Sequence, residues 1–248
     1  MTELNTQTSE EAAPPKAATP TGSMIATLGL VAAICGLIIV GAYQLTLDAV
    51  EQNKVIKERR AVEKVMPDAK SVVGYYVFDD QKIEPVENVD KEPKKYPAAK
   101  LKFFAGYDAA GTLLGIAAEG SAKGYADQVR VMFAYSEACQ CINGMTVVSM
   151  KETPGIGDKA DPTKEDIVDK QFMKNFVALD VKLAQDMKAL ANEVKTVKHG
   201  RKANPWEIDA IAGATITSKA IGKGINASAQ ALLPKVVPNL DKIRSKKP

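Results

Sequence analysis

A run of small and hydroxylated residues near the carboxyl end of the chain has the composition of an anion-binding helix start. The segment reads Asp-Ala-Ile-Ala-Gly-Ala-Thr-Ile-Thr-Ser from Asp209 to Ser218. Apolar residues recur at helical spacing behind it, at Ile216, Ile221, Ile225, Ala229 and Leu232. Thr215, Thr217 and Ser218 therefore fall in or near a first helical turn, where backbone N–H groups lack partners within the helix and attract phosphate.

Gly213 and Ala214 directly precede these hydroxyl groups and carry almost no side chain. A bulky ligand can therefore approach the backbone closely at this point. The segment predicts a phosphate-ligand site or, as the ordinary alternative, a threonine-capped helix that follows a glycine turn.

A second segment, Lys151–Lys159, reads K-E-T-P-G-I-G-D-K. Pro154 and two glycines prevent it from staying extended, so it predicts a loop that exposes backbone N–H groups and holds the apolar Ile156 at its tip. A plain turn is the alternative. A dinucleotide fingerprint, G-x-G-x-x-A, can also be read here, but we reject it because Asp161 and Pro162 interrupt the helix that it requires.

Both segments resemble motifs of the FMN-binding domain family. The pattern D-x-x-A-G-A-T-x-T-S is similar to the family's flavin-attachment motif, in which a threonine hydroxyl is esterified to the FMN phosphate. The family usually has Ser or Thr where this chain has Ala212. Glu152–Gly157 is similar to the E-T-P-G-L/I-G loop, which faces the isoalloxazine ring in the family. The resemblance implies covalent FMN on Thr215, with Thr217 as the second choice.

The resemblance also implies a set of residues at the cofactor, with no catalytic side chain and no metal. These residues are Asp209, Gly213, Ala214, Thr215, Thr217 and Ser218 in the first segment, and Glu152, Thr153, Gly155, Ile156 and Gly157 in the second. Outside them, Tyr125 follows a glycine that resembles the family's Gly-Tyr turn. We interpret Tyr125 and Trp206 as packing residues, with flavin contact as the alternative.

The family includes the G subunit of the Rnf complex and the C subunit of the sodium-translocating NADH:quinone reductase. Asp158-Lys159 and Lys219-Ala220 are more similar to the form found in the Rnf protein. The resemblance therefore implies an electron-transfer subunit of a membrane-bound, ion-translocating ferredoxin:NAD oxidoreductase, not catalytic alone. Its partners would be the other membrane subunits, and a separate flavin transferase would attach the FMN. A quinone-reductase C subunit and a flavin-free, membrane-anchored scaffold or binding module remain the alternatives.

The composition fits one globular domain and excludes several function classes. The chain has 248 residues, of which 46% are hydrophobic and 25% charged, and its net charge of +3 gives no indication of nucleic acid binding. One histidine, His199, excludes most His-based metal sites and Ser-His-Asp catalysis. Three cysteines are too few for a disulfide framework or a four-thiolate iron–sulfur cluster, although Cys139 and Cys141 could close a small, strained ring.

A membrane anchor is predicted near the amino terminus. Met24–Gln44 is almost wholly apolar, and as a helix of about 30 Å it matches the hydrocarbon core. A signal peptide is the alternative, but the preceding segment is long and acidic. Five basic residues between Lys54 and Lys64, against Lys16 alone, would place the large domain in the cytoplasm. We follow the family instead and predict an inner-membrane, single-pass chain with an extracytoplasmic FMN domain.

The expected fold class is α+β, with one transmembrane helix followed by an FMN-binding domain that has a largely antiparallel, twisted sheet and flanking helices. The domain boundaries are a disordered tail at 1–22, the transmembrane helix at 23–47, a juxtamembrane helix at 48–66, the FMN-binding domain at 67–235 and a basic tail at 236–248. Strands are predicted at Ser71–Phe78, Leu101–Tyr107, Leu113–Ala118, Gln128–Ser136, Met145–Met150 and Ile208–Ile211. Helices are predicted at Lys164–Phe176 and Val181–Val194, and a solvated loop at Asp79–Lys100.

Overall fold

The computed structural model describes residues 21–78, 82–85 and 101–244, so residues 1–20 of the tail predicted at 1–22 and most of the loop predicted at 79–100 lie outside the described residues. The chain divides into two compact units, Met1–Val50 and Glu51–Pro248. The first unit contains most of the apolar part of helix α1, which runs from Thr21 to Val65. Among the described residues, α1 is the one helix long and apolar enough to cross a membrane.

A seven-stranded antiparallel sheet forms the centre of the second unit, in the order β2-β1-β3-β4-β5-β6-β7. Its strands are β1 (Ser71–Val77), β2 (Ile83–Pro85), β3 (Leu101–Tyr107), β4 (Leu113–Lys123), β5 (Gln128–Ser136), β6 (Cys141–Ser149) and β7 (Leu179–Asp180). A separate parallel pair joins β8 (Lys195–Val197) to β9 (Glu207–Asp209). The predicted α+β class and its largely antiparallel sheet are confirmed.

Side chains that alternate along the strands build a separate core on each face of the sheet. Phe103 on β3 belongs to the core shared with helix α3, which runs from Thr215 to Val236. Its neighbour Phe104 points to the opposite face, where Ala61 and Val62 of α1 are buried. The carboxyl end of α1 is therefore part of the folded second unit.

Helix α3 lies directly on strand β4. A Cβ atom on Gly120 would lie 2.6 Å from the Gly224 carbonyl oxygen, and a Cβ on Gly224 would lie 2.8 Å from the Ser121 nitrogen. Two glycines thus allow the helix backbone to touch the strand backbone, which fixes where α3 begins relative to the sheet.

Two predicted helices are wrong. In Lys164–Phe176 only α2 (Lys170–Met173) and a short 3-10 turn at Lys174–Phe176 are helical. Val181–Val194 contains no helix, because side chains of α3 accept backbone N–H groups that a helix would have paired internally. Leu190 donates to Gln230 at 3.1 Å and Val194 donates to Asn226 at 2.9 Å.

The basic tail predicted at 236–248 is also wrong for its described part, which is ordered and packed on the domain. Helix α3 continues past Pro234, and a 3-10 helix follows at Val237–Lys242. The Tyr107 hydroxyl donates to the Ile243 carbonyl at 2.8 Å, so this segment is fastened to the centre of the sheet. Likewise, β2 forms inside the predicted loop at 79–100, because it pairs with β1.

Candidate functional site

The two segments that the sequence motifs indicate line one cavity of about 430 Å³. The segment after β6 contributes Glu152, Thr153, Ile156 and Gly157, and the start of α3 contributes Gly213, Ala214, Thr215, Ile216 and Thr217. Tyr125, from the turn between β4 and β5, completes the lining. The sheet and α3 therefore bring together residues as distant in the chain as Glu152 and Thr217, which are 65 positions apart.

A buried serine fixes the backbone at the start of α3. The Ser218 hydroxyl donates to the Ala214 carbonyl at 2.9 Å and accepts from the Ile211 nitrogen at 3.1 Å. Gly213 adopts φ +80°, a conformation that favours glycine, and so makes the sharp turn before the helix. Thr215 is thereby placed as the first residue of α3, half-buried and facing the cavity.

The helix start has the features of an anion site. No side chain caps α3, and its capping residue is Ala214. The first backbone N–H groups of a helix have no partner within the helix, and the helix dipole adds partial positive charge there. A phosphate carried on Thr215 would lie close enough to accept hydrogen bonds from these N–H groups.

Glu152 is a buried carboxylate at the junction of three segments. Its Oε2 accepts from the Thr217 hydroxyl at 2.5 Å and from the Tyr125 nitrogen at 3.2 Å. Its Oε1 accepts from the Ala126 nitrogen at 3.1 Å. None of the described lysine, arginine or histidine side chains forms an ion pair with it, so neutral donors alone stabilise this charge.

Two glycines make room for this junction. A Cβ on Gly157 would lie 2.8 Å from the Thr217 hydroxyl oxygen and 2.8 Å from the Glu152 Cβ, and a Cβ on Gly124 would overlap the Glu152 Oε1. Both substitutions would push the carboxylate out of its place. Sequence reasoning finds Gly124 as part of a Gly-Tyr turn but misses its role in making room for Glu152.

Three of the predicted site residues do not line the cavity. Ser218 is fully buried and fastens the turn, and Gly155 at φ +72° reverses the loop. The Asp209 carboxylate lies 3.4 Å from the Arg201 nitrogen, and the backbone of Asp209 is held at both its N–H and its carbonyl by the buried Asn175. Asn175 is a second residue that sequence reasoning misses, because its partner is 34 positions away.

Three large apolar side chains remain exposed around the cavity. The exposed fractions are 67% for Tyr125, 48% for Ile156 and 54% for Ile216. The interpretation of Tyr125 as a packing residue is therefore wrong. Trp206, by contrast, is half-buried beside the β8–β9 pair and is not among the lining residues. An apolar rim over an anion-binding floor matches the two ends of FMN, a flat ring and a phosphate.

An ion pair stabilises the loop at Lys151–Lys159. The Asp158 carboxylate is buried and lies 2.9 Å from the Lys164 ammonium. Burial raises the pKa of Asp158, but the hydrogen bond and charge of Lys164, together with backbone hydrogen bonds from Gly155 and Asp158, hold that pKa below its ordinary value.

Comparison with known proteins identifies relatives of this chain. Residues 124–230 match the FMN-binding domain family. The chain is 30% identical over 187 residues to the G subunit of the Na(+)-translocating ferredoxin:NAD(+) oxidoreductase complex of Acetobacterium woodii, covering 75% of this chain and 79% of that protein. It is 28% identical over 204 residues to the G subunit of the ion-translocating oxidoreductase complex of Stutzerimonas stutzeri, covering 80% and 75%.

Solved structures show the same fold. The crystal structure of NqrC from Shewanella oneidensis superposes with a TM-score of 0.55 at 19% identity, covering 74% of this chain and 98% of that one. The C subunit of the Na(+)-translocating NADH-quinone reductase of Parabacteroides distasonis gives a TM-score of 0.53 at 16% identity, covering 81% and 96%.

Proposed function

The chain belongs to the FMN-binding domain family, and on that premise we propose that it carries FMN as a phosphoester on Thr215 and transfers electrons within a membrane-bound, ion-translocating oxidoreductase complex. The observation that carries the proposal is the cavity that the loop after β6 and the start of α3 line together. It combines an uncapped helix start, an accessible threonine hydroxyl and an apolar rim.

The assignment to Thr215, rather than to Thr217, rests on access. The Thr217 side chain is 2% exposed and its hydroxyl is engaged with Glu152, whereas Thr215 is half-buried. Attachment requires the hydroxyl to reach a phosphorus atom held by another protein, so the more accessible threonine is the better acceptor. Thr217 remains the second choice.

When bound, FMN supplies one- and two-electron transfer, and the protein supplies its position and surroundings. The first turn of α3 would hold the phosphate through backbone N–H groups. Ile156 and Tyr125 would lie against the ring and exclude water from part of it, while the open rim would leave a ring edge accessible to a redox partner. Thr153 and Gly157 would close the floor of the site between these two regions.

The complex is proposed from the relatives. Two G subunits with 28–30% identity over most of this chain come from ion-translocating oxidoreductases, and one of these is named as a ferredoxin:NAD(+) enzyme. We therefore assign this chain the same place, anchored by α1 beside the other membrane subunits. A separate flavin transferase would load the FMN, because the side chains around the cavity include no nucleotide-hydrolysing motif.

The test is covalent labelling. The full chain is co-produced with a flavin transferase and run on a denaturing gel under ultraviolet light, where the intact chain should fluoresce. Thr215→Ala should abolish the fluorescence, since it removes the acceptor, and Thr112→Ala in a remote turn should leave it unchanged. An unlabelled chain beside a labelled control substrate of the same transferase would favour the flavin-free scaffold.

A further inference from the structure

The Glu152 carboxylate, besides joining three segments, accepts a hydrogen bond from one of the two candidate acceptor hydroxyls, that of Thr217, and lines the same cavity as the other, Thr215. We propose that Glu152 determines which threonine receives the flavin. Its carboxylate holds the Thr217 hydroxyl in a hydrogen bond and places a negative charge beside it, so that Thr215 is the acceptor. This inference rests on the proposed covalent attachment and adds a specificity-determining residue to it.

The first argument is steric. The Thr217 hydroxyl lies 2.5 Å from the Glu152 Oε2, and the position of a Cβ on Gly157 would be only 2.8 Å from the same hydroxyl oxygen. A phosphate on this oxygen would need the space that the carboxylate and the loop backbone occupy. While Glu152 keeps its four donors, three backbone N–H groups and the Thr217 hydroxyl, that space does not open.

The second argument is electrostatic. A flavin phosphodiester carries one negative charge, and on Thr217 it would lie beside the Glu152 carboxylate. Like charges in a partly buried site repel strongly because little water screens them. None of the described cationic side chains pairs with Glu152, so no ion pair among them offsets the repulsion. On Thr215 the phosphate would instead be attached to the first residue of α3, whose uncapped N–H groups would hold it.

The chemistry of attachment gives Glu152 two roles that an experiment can separate: it either prevents Thr217 from acting as an acceptor or activates Thr217 as a general base. The Oγ–P bond forms, the anhydride P–O bond of a flavin dinucleotide breaks, and a nucleoside monophosphate leaves with the hydroxyl proton, so that nothing is oxidised or reduced. A carboxylate that accepts a hydrogen bond from a hydroxyl is also the arrangement of a general base. If Glu152 were the base for Thr217, its removal would abolish labelling rather than permit it.

The experiment combines Glu152 substitutions with loss of the preferred acceptor, in the full chain co-produced with the transferase. The variants are Thr215→Ala alone and Thr215→Ala combined with Glu152→Ala, Glu152→Gln or Asp108→Ala. Asp108 is the matched control, since its carboxylate also accepts two backbone N–H groups, at 2.8 Å, but in a turn remote from the cavity. Peptide mass mapping measures the fraction of each threonine that carries FMN.

We expect Thr215→Ala to carry FMN on Thr217 in at most a trace fraction, and the double variant with Glu152→Ala to carry at least tenfold more there. Glu152→Gln removes the charge but keeps the size of the side chain, so its double variant should give a level between these two. The Asp108 double variant should stay at the trace level. The single variants Glu152→Ala and Glu152→Gln report whether the fold and the transferase reaction survive, because they retain Thr215.

Three results would overturn the proposal. The first is that both double variants stay unlabelled while a Glu152 single variant is labelled on Thr215. The second is that neither single variant is labelled, which would make the carboxylate necessary for attachment. The third is FMN on Thr217 in the unsubstituted chain. Absence of covalent flavin from the unsubstituted chain is a different failure, that of the proposed function itself.

Discussion

Ile156 shows at the level of one residue how the loop can affect a bound flavin. Its side chain is 48% exposed at the cavity rim, so it can contact a ring without being part of the protein core. Ile156→Asp should leave the covalent link intact but lower the flavin potential, because a carboxylate near the ring disfavours anionic reduced forms. At an effective dielectric constant between protein and water, the effect is on the order of 1 kcal/mol, or about 40 mV.

Redox titration of the purified, flavin-loaded chain measures this shift. Ile156→Asn is the control, because it has nearly the same size and polarity as Asp without the charge. Equal potentials in the unsubstituted chain and the Asp variant, with unchanged flavin absorption, would mean that the loop is only a turn.

Thr217 gives a second prediction, which separates its structural role from that of an acceptor. Thr217→Ala should lower the efficiency of labelling or the order of the cofactor while leaving FMN on Thr215. It should also destabilise the chain by about 1.5–3 kcal/mol, the usual range for a hydrogen bond to a charged group. Thr217→Ser, which keeps the hydroxyl donor to Glu152, should restore most of the labelling efficiency and most of the stability. Thermal unfolding and peptide mapping measure the two effects, and loss of all covalent FMN in the Ala variant would contradict the assignment.

At this scale the sequence predicts most of the site, for physical reasons that are local. Gly213, Ala214, Thr215 and Ile156 lie where their motifs predict, since turn geometry and helix starts depend on neighbouring residues. Tyr125 cannot be assigned in the same way. The turn that carries it is held by a hydrogen bond from its backbone nitrogen to Glu152, 27 positions away, a partner that local sequence does not reveal.

The loop behind the cavity is an element whose stability depends on pH. Asp158 has a pKa below its ordinary value, because the hydrogen bond and charge of Lys164 and two backbone hydrogen bonds together counteract burial. A carboxyl group whose pKa is lowered by folding stabilises the protein above its unfolded pKa, about 3.9, and loses that contribution as the pH falls through the folded value. The ion pair should therefore contribute near neutral pH and not in acid.

Lys164→Met tests this directly. At pH 7 the variant leaves a buried carboxylate without its cation, and the free energy of unfolding should fall by about 1–3 kcal/mol. As the pH falls through the folded pKa of Asp158, which lies below its ordinary value, the difference should shrink, because protonated Asp158 no longer forms an ion pair with Lys164. Lys182→Met is the control, since its partner Asp180 lies 3.6 Å away and is less buried. Unfolding of the full chain in detergent at pH 7 and in acid gives the comparison, and a pH-independent difference would rule out this coupling.

The elements also show where local pattern stops being informative. The sequence predicts strands β1, β3 and β5 nearly to their ends, because alternation and turn residues are visible in it. The apolar spacing of Val181–Val194 suits a helix. The predicted helix does not form, because Gln230 and Asn226 of α3 accept hydrogen bonds from N–H groups within the segment. Propensity cannot reveal partners that arrive from 32 or more positions away.

At the scale of the whole molecule, two features of the chain bear on the side of the membrane on which the second unit lies. Five basic residues from Lys54 to Lys64 follow the apolar part of α1, which by the positive-inside rule favours the cytoplasm. The rule applies to short loops, whereas Glu51–Pro248 is a large folded unit, and large domains translocate largely regardless of such charges. The carboxyl end of α1 is moreover part of that fold, since Ala61 and Val62 are buried against the sheet.

The disulfide between Cys139 and Cys141 argues in the same direction, because structural disulfides persist in oxidising compartments and are rare in the cytosol. We therefore expect the second unit to be extracytoplasmic. Alkaline phosphatase, which is active only after export, should be active when fused after Pro248, and a reporter that works only in the cytoplasm should be inactive at the same position. As a control, deletion of the apolar segment Met24–Gln44 should abolish the phosphatase activity, since nothing would then lead the unit across the membrane. The reverse pair of reporter activities would place the flavin domain in the cytoplasm and would show that the basic residues after the span, rather than the folded unit, decide its orientation.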